Sequence, residues 1–131
     1  MPIVFVSTSD DPRLPGPLVG ALRARGVTVR LSPAPGDPRW SDWYGDGCAR
    51  ELRESDAFVA LVTHGYDSST WMAHEFDVAT RLCSERGKPA TFLFRVEQRP
   101  LPPGFRGYEV RAVELPATPD AAAAKVLAAL G

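Results

Sequence analysis

The chain has 131 residues, the length of one ordinary domain, and we expect a single domain over residues 1–131. Its content of 44% hydrophobic and 24% charged residues is typical of a globular protein and argues against a disordered or fibrous chain. A net charge of −1 provides no electrostatic basis for binding nucleic acid or an anionic membrane.

The first part of the chain predicts a strand, a helix and a second strand. Residues 3–7 form a short apolar run that leads into hydroxyl and acidic side chains, as a strand followed by a polar loop does. Leu14, Leu18 and Leu22 recur every four residues and predict a helix that ends at Gly26. Residues 27–31 alternate between apolar and polar side chains and predict the second strand.

A long loop, a short helix and a central strand are predicted next. Residues 33–47 combine proline, glycine and aspartate with two tryptophans and a tyrosine, which favours a loop. A helix is predicted from about Asp46 to Glu54. Residues 57–62 are apolar on both faces, as a central strand of a parallel sheet should be.

The second half of the chain repeats the alternation of helix and strand. A long helix is predicted from capping candidates at residues 67–70 to Gly87. Residues 89–96 and 108–115 predict two further strands, and residues 118–120 cap a last helix. We therefore predict an α/β fold, a flavodoxin-like, doubly wound, five-stranded parallel sheet with helices on both faces.

The amino-terminal sequence and the cysteines bear on location. Only four consecutive apolar residues, 3–6, occur there without a preceding basic stretch, which is too short for a signal peptide or a membrane span. We therefore expect a cytoplasmic protein in which Cys48 and Cys83 are reduced, structural thiols. With two cysteines and two histidines the chain is poor in zinc ligands, and no metal site is predicted.

One carboxylate of the predicted long helix lies among apolar positions. Glu75 shares a helical face with Trp71 and Val78. Asp77 has Arg81 one turn further along as an ion-pair partner, whereas Glu75 has none at the equivalent positions. Position alone leaves two interpretations open. Either the stem of Glu75 lies along the edge of the core with its head in water, or the carboxylate belongs to a site at the carboxyl ends of the strands.

Four segments of the chain occur in an order typical of one known family. They are the strand and polar loop at Val4–Asp11, the strand at Ser55–Thr63 followed by Gly65-Tyr66, the helix start Trp71-Met72-Ala73-His74-Glu75-Phe76, and the stretch from Pro35-Gly36 to Trp43. Together they resemble the TIR (Toll/interleukin-1 receptor) domain family, whose BB loop the last stretch matches. The likeness covers nearly the whole chain and is weakest after about residue 97, and His64 replaces a proline common in the family.

The resemblance implies an activity, because several TIR domains cleave NAD+ at the nicotinamide–ribose bond. The essential residue of those domains is a glutamate four positions after a tryptophan, which is the spacing of Trp71 and Glu75. We therefore expect an NAD+ nucleosidase in which Glu75 is catalytic and NAD+ is the substrate rather than a cofactor. The candidate substrate-binding residues are Ser7, Thr8, Ser9 and Trp71.

The resemblance also implies activation by self-assembly in a signalling or defence context. The expected partners are further copies of the chain in a homo-oligomeric TIR–TIR assembly, and an upstream sensor protein. No nucleic acid or membrane partner is expected. The candidate interface residues of the BB loop are Pro35, Gly36, Trp40, Trp43 and Tyr44.

Other functions remain open at this point. A nonenzymatic TIR adaptor module recruits partners through its surfaces and requires no catalytic role for Glu75. A nucleoside deoxyribosyltransferase-like enzyme shares the architecture and a helix glutamate, but it also needs a cooperating carboxylate that the sequence does not single out. A response-regulator receiver fits less well, because Thr63-His64 stands where its phospho-acceptor is expected. Flavin binding fits less well because the first loop lacks the expected glycine.

Overall fold

Parallel strands form one sheet in the order β2-β1-β3-β4-β5. The computed structural model describes residues 2–7, 15–33, 36–62, 70–95, 112–114 and 119–130. Its strands are β1 (Ile3–Ser7), β2 (Thr28–Leu31), β3 (Ala57–Val62), β4 (Ala90–Arg95) and β5 (Ala112–Glu114). Because β2 lies on one side of β1 and the later strands follow on the other side, the connections wind in both directions from the centre. The predicted flavodoxin-like α/β fold is confirmed.

The structure describes only part of the predicted fifth strand. Residues 108–115 were expected to be extended, and the structure shows a strand at Ala112–Glu114 that pairs in parallel with β4. Residues 108–111 and 115 lie outside the described part of the chain.

Helices cover both faces of the sheet. They are α1 (Pro15–Ala24), α2 (Cys48–Arg53), α3 (Thr70–Arg86) and α4 (Pro119–Leu130). One core forms between the sheet and α1 and α4, and the other forms between the opposite face and α2 and α3. The predicted ends of α1 and α3 are confirmed, since Gly26 and Gly87 follow them with φ of +80°, a conformation that favours glycine. None of the described helices is both long and apolar enough to cross a membrane.

The core on the α2/α3 face is largely aromatic. Phe5 of β1 stacks on Trp43 with ring centroids 5.7 Å apart and on Phe58 of β3 at 5.9 Å. All three side chains are fully buried. The predicted central position of β3 follows from the same packing, because residues 57–61 are at most 2% exposed on either face of the sheet.

Residues 36–47 are more ordered than the long loop predicted from sequence. Pro38–Asp42 form a 3₁₀ helix, and the Asp37 side chain accepts a hydrogen bond from the Arg39 backbone N–H at 2.9 Å. An aspartate cap followed by proline favours this helix start. Trp43–Gly47 then form a wide turn in which the Cys48 N–H donates to the Trp43 carbonyl oxygen. The following helix is therefore Cys48–Arg53, shorter than the predicted Asp46–Glu54.

We expect Gly47→Ala to lower the free energy of unfolding by about 1–3 kcal/mol, because an added Cβ must displace backbone. A Cβ on Gly47 would lie 3.0 Å from the carbonyl oxygen of Asp42. Gly20→Ala in α1 is the matched control, since a Cβ there meets nothing within 4 Å. The control should stabilise the protein by about 0.5–1 kcal/mol through helix propensity. Urea unfolding of both variants measures the two effects, and a Gly47→Ala protein as stable as wild type would contradict the tight turn.

Candidate functional site

The carboxylate of Glu75 is buried inside the protein. Its side chain is 0% exposed, although α3 carries it near the carboxyl ends of β1 and β2. The helix turns Glu75 inward because its neighbours on the same side, Met72, Val78 and Ala79, pack into the core. The interpretation in which the head of Glu75 reaches water is therefore wrong for this structure.

Three hydrogen-bond donors from three different segments hold the Glu75 carboxylate. Ser7, the last residue of β1, donates through Oγ to Oε1 at 2.7 Å. Ser32, directly after β2, donates through Oγ to the same Oε1 at 2.8 Å. Trp43 donates through Nε1 to Oε2 at 2.9 Å. These lengths are those of good hydrogen bonds to a charged or polar oxygen, so the position of the carboxylate is well defined.

Sequence reasoning identified only part of this set. Ser7 was predicted in the site as a substrate-binding residue, and the structure shows its buried hydroxyl donating to Glu75. Ser32 was missed, because its place in the site depends on the register of the sheet. In the parallel register Val6 pairs with Leu31, so the next residues along β1 and β2, Ser7 and Ser32, come side by side.

Burial raises the pKa of Glu75 to about 7, because the carboxylate loses the water that stabilises its charge. The hydrogen bonds from Ser7, Ser32 and Trp43 oppose this rise, and so does the positive charge of Arg39. A carboxyl group with a pKa near neutrality changes charge in the range where enzymes work. It is suited to stabilising a developing positive charge once ionised.

Arg39 is the charged residue behind Trp43. Its guanidinium lies 5.6 Å from the centre of the Trp43 ring, within the range of a cation–π contact. The same group donates to Glu51 at 3.0 Å, to Asp37 at 3.2 Å and to the Leu31 carbonyl oxygen at 3.1 Å. Arg39 thereby ties the 3₁₀ helix to the end of β2 and to α2.

Cys48 lies close to the same carboxylate and is fully buried. Burial raises its pKa well above the ordinary value of a thiol, and the negative charges of Glu75 and Glu51 add to the rise. The thiol therefore stays protonated and unreactive. Cys48 and Cys83 form no disulfide in the structure.

A second group of aromatic side chains lies outside the carboxylate, and we call it the outer aromatic cluster: Trp40, Tyr44, Trp71 and His74. The rings of Trp40 and Trp71 meet edge to face with centroids 5.7 Å apart, and Tyr44 lies 5.8 Å from Trp40. His74 lies 5.0 Å from Tyr44. Tyr44 is 47% exposed, so this cluster reaches the protein surface.

His74 is the polar residue of the outer aromatic cluster. Its Nε2 atom is buried and has no hydrogen-bond partner within the described part of the structure. The ring packs against Tyr44 instead.

The interface prediction for the BB loop does not fit Trp43. Its indole is fully buried and donates to Glu75, so it presents no surface to another protein in this structure. Trp40 is half-buried, Tyr44 is exposed, and Gly36 is exposed with a φ of +97°. Pro35, Thr8 and Ser9 lie outside the described residues. Within the described ranges, no three histidine, cysteine, aspartate or glutamate residues are grouped to hold a metal ion.

Comparison with known proteins shows the family of the chain. Residues 4–127 match the family model described as TIR domain. The TIR domains in the structure of the activated Roq1 resistosome, which directly recognises the pathogen effector XopQ, superpose with a TM-score of 0.61. The match has 16% sequence identity and covers 99% of this chain and 80% of that chain, which shows a common fold. No curated protein matches the sequence. The chain belongs to the TIR domain family.

Proposed function

We propose that this TIR domain is an NAD+ nucleosidase that cleaves the nicotinamide–ribose bond, with Glu75 as its catalytic residue. The observation that carries the proposal is the buried carboxylate of Glu75, held by Ser7, Ser32 and Trp43 where β1 and β2 end. Among the described residues the Glu75 carboxylate forms no ion pair. A buried carboxylate without an ion pair costs stability, and such groups are concentrated at functional sites.

The chemistry requires one well-placed carboxylate. Cleavage of the N-glycosidic bond passes through an oxocarbenium-like ribose, as glycoside hydrolysis does. Nicotinamide leaves as a neutral molecule because the bond electrons move to its cationic ring nitrogen, so the leaving group needs no general acid. Water then adds to the anomeric carbon and loses a proton, which yields nicotinamide, ADP-ribose and one proton. Ionised Glu75 would stabilise the positive ribose and receive the proton of the attacking water.

Substrate must reach the Glu75 carboxylate for this reaction to occur. Because the side chain is 0% exposed, binding of NAD+ requires a neighbouring group to move. Trp71 lies at the edge of the same core, one helical turn before Glu75, and forms part of the outer aromatic cluster. Its half-buried ring is suited to stacking against a flat base of the substrate.

Self-assembly of the domain belongs to the same proposal. The Roq1 TIR domains occur in an activated resistosome, which supports the idea that TIR domains of this fold work as assemblies. We infer that copies of this chain associate through the exposed part of residues 36–47, in which Gly36 and Tyr44 are exposed and Trp40 is half-buried. Pro35 is a further proposed interface residue. An upstream sensor protein is the other proposed partner.

We expect Glu75→Gln to reduce nicotinamide release from NAD+ by at least about 100-fold, because it removes the charge that stabilises the transition state. Release is followed at high protein concentration and with a crowding agent, so that assembly is favoured. Asp77→Asn is the matched control. Asp77 is an exposed carboxylate on the same helix, paired with Arg81 at 3.0 Å, and its loss should leave the rate unchanged.

The two variants separate the candidate functions. Equal activity of wild type and Glu75→Gln would contradict the assignment of Glu75. Absence of nicotinamide release from an assembled wild-type protein would favour the adaptor module.

A further inference from the structure

The hydrogen bonds of Glu75 use the acceptor positions of its two oxygens unequally. A carboxylate oxygen has two lone-pair positions, and Ser7 and Ser32 occupy both positions on Oε1. Among the described residues, Oε2 accepts one hydrogen bond, from Trp43. Within the described ranges, the second acceptor position of Oε2, beside the indole, has no protein donor.

The three donors differ in chemistry as well as in position. A serine hydroxyl rotates and either donates or accepts, so Ser7 and Ser32 can bond to the carboxyl group in either protonation state. An indole Nε1–H only donates. Trp43 therefore favours the state in which Oε2 is an acceptor, which is the state that binds a ribose hydroxyl or takes a proton from water.

The indole is itself held firmly. Trp43 is fully buried and stacks on Phe5 with an angle of 18° between the ring planes. The guanidinium of Arg39 lies over its ring at 5.6 Å. Arg39 in turn is fixed by hydrogen bonds to Glu51 and Asp37. A donor with so little freedom sets the direction of the oxygen that it bonds.

We propose that Trp43 is a positioning residue for Glu75, whose Nε1–H orients Oε2 so that its remaining acceptor position faces the substrate. This inference rests on the proposed function for its consequence in catalysis. Its structural part, the coupling between the indole and the carboxylate, does not depend on NAD+ cleavage. A purely packing role of Trp43 would need the ring but not its N–H.

The test of the coupling is nuclear magnetic resonance of the indole N–H groups. The chain has three tryptophans, and Trp40→Phe and Trp71→Phe identify two of the three signals, which leaves that of Trp43 without changing the residue itself. We expect the Trp43 signal to shift with pH as Glu75 ionises, and to lose this shift in Glu75→Gln. A Trp43 signal that responds to pH identically in wild type and Glu75→Gln would overturn the proposal.

Other ionisable groups near the carboxylate do not account for a pH-dependent shift of the Trp43 signal that is lost in Glu75→Gln. Arg39, whose charge acts on Glu75, stays protonated throughout the neutral range. Cys48 stays a thiol because burial raises its pKa. Comparison with Glu75→Gln removes the contribution of any histidine, His74 included.

A second measurement uses Trp43→Phe, which keeps a ring in the core and removes the donor. Loss of a hydrogen bond to the charged form should move the titration of Glu75, followed by its carboxyl carbon signal, upward by about one pH unit. Trp40→Phe is the control and should leave this titration in place. An unchanged titration of Glu75 in a folded Trp43→Phe protein would contradict positioning by the indole.

The kinetic consequence distinguishes positioning from substrate binding. In Trp43→Phe we expect kcat for NAD+ cleavage to fall about 10- to 100-fold while KM changes less than about threefold. A rise in KM with unchanged kcat would assign Trp43 to binding and overturn its positioning role. If the wild-type protein releases no nicotinamide, the NAD+ proposal fails, and the two resonance experiments still decide whether Trp43 orients Glu75.

Discussion

The free energy of unfolding should fall by about 3 kcal/mol between about pH 4.5 and about pH 7, and Glu75→Gln should remove this fall. Burial raises the pKa of Glu75 from 4.5 to about 7 in the folded protein. Between these values the folded protein keeps the proton that the unfolded chain has released. The unfolded state therefore gains stability as pH rises, and the effect is complete above the folded pKa.

Urea unfolding of wild type and Glu75→Gln at about pH 5, 6, 7 and 8 measures the effect as the difference between two curves. Glutamine is a suitable replacement because its carbonyl oxygen accepts from Trp43 while its amide donates to a serine hydroxyl. Other carboxyl groups contribute to both proteins alike. Asp37, for example, has a pKa lowered mainly by its side-chain hydrogen bond with Arg39, so its contribution is lost at lower pH. Parallel curves for the two proteins would show that Glu75 is ionised throughout and would contradict the raised pKa.

Phe5→Ala should reduce the free energy of unfolding by about 3–5 kcal/mol, the usual range for a fully buried phenylalanine. Phe5 is 0% exposed and fills the space between Trp43 and Phe58. Truncation to alanine therefore leaves a cavity, because the surrounding structure relaxes only partially. The same cavity frees the Trp43 indole. We therefore expect loss of the coupling between the Trp43 signal and Glu75 in any Phe5→Ala protein that remains folded.

Phe92→Ala in β4 is the matched control for Phe5→Ala. Phe92 is half-buried and packs against the core on the α1/α4 face, away from the carboxylate. Its removal should cost clearly less stability and leave the Trp43 signal in place. Equal losses in both variants, measured by urea unfolding, would show that the aromatic stack of Phe5 has no special role in holding the site.

Much of the fold could be predicted because its signals are local. The leucine spacing before Gly26, the apolar run at 57–62 and the helix that ends before Gly87 each depend on neighbouring residues. The alternation of strand and helix then restricted the topology, since parallel connections are right-handed. The segment 36–47 was predicted less well, because its 3₁₀ helix and wide turn depend on the Asp37 cap and on burial of Trp43.

The candidate site was predicted at its centre and missed around it. Glu75 was identified because it interrupts an apolar helical face and has no ion-pair partner one turn along the helix. Its spacing from Trp71 also resembles that of TIR nucleosidases. The sequence placed Trp43 in a loop, as a candidate interface residue, and singled out no role for Ser32. Their contacts with Glu75 span 32 and 43 residues of sequence, and no local pattern reports an approach over such a distance.

By itself, the sequence determined the order of strands and helices and the family. It also singled out Glu75 as a carboxylate on an apolar helical face without an ion-pair partner one turn along the helix. Only the tertiary structure decided that this carboxylate is buried, that Ser7 donates a hydrogen bond to it, and that Trp43 belongs to the core rather than to a surface. The physical reason is that helix and strand patterns arise from interactions between near neighbours. Burial of Glu75 arises from the register of β1 with β2 and from the packing of residues 36–47 against α3, which exist only once the whole sheet has formed.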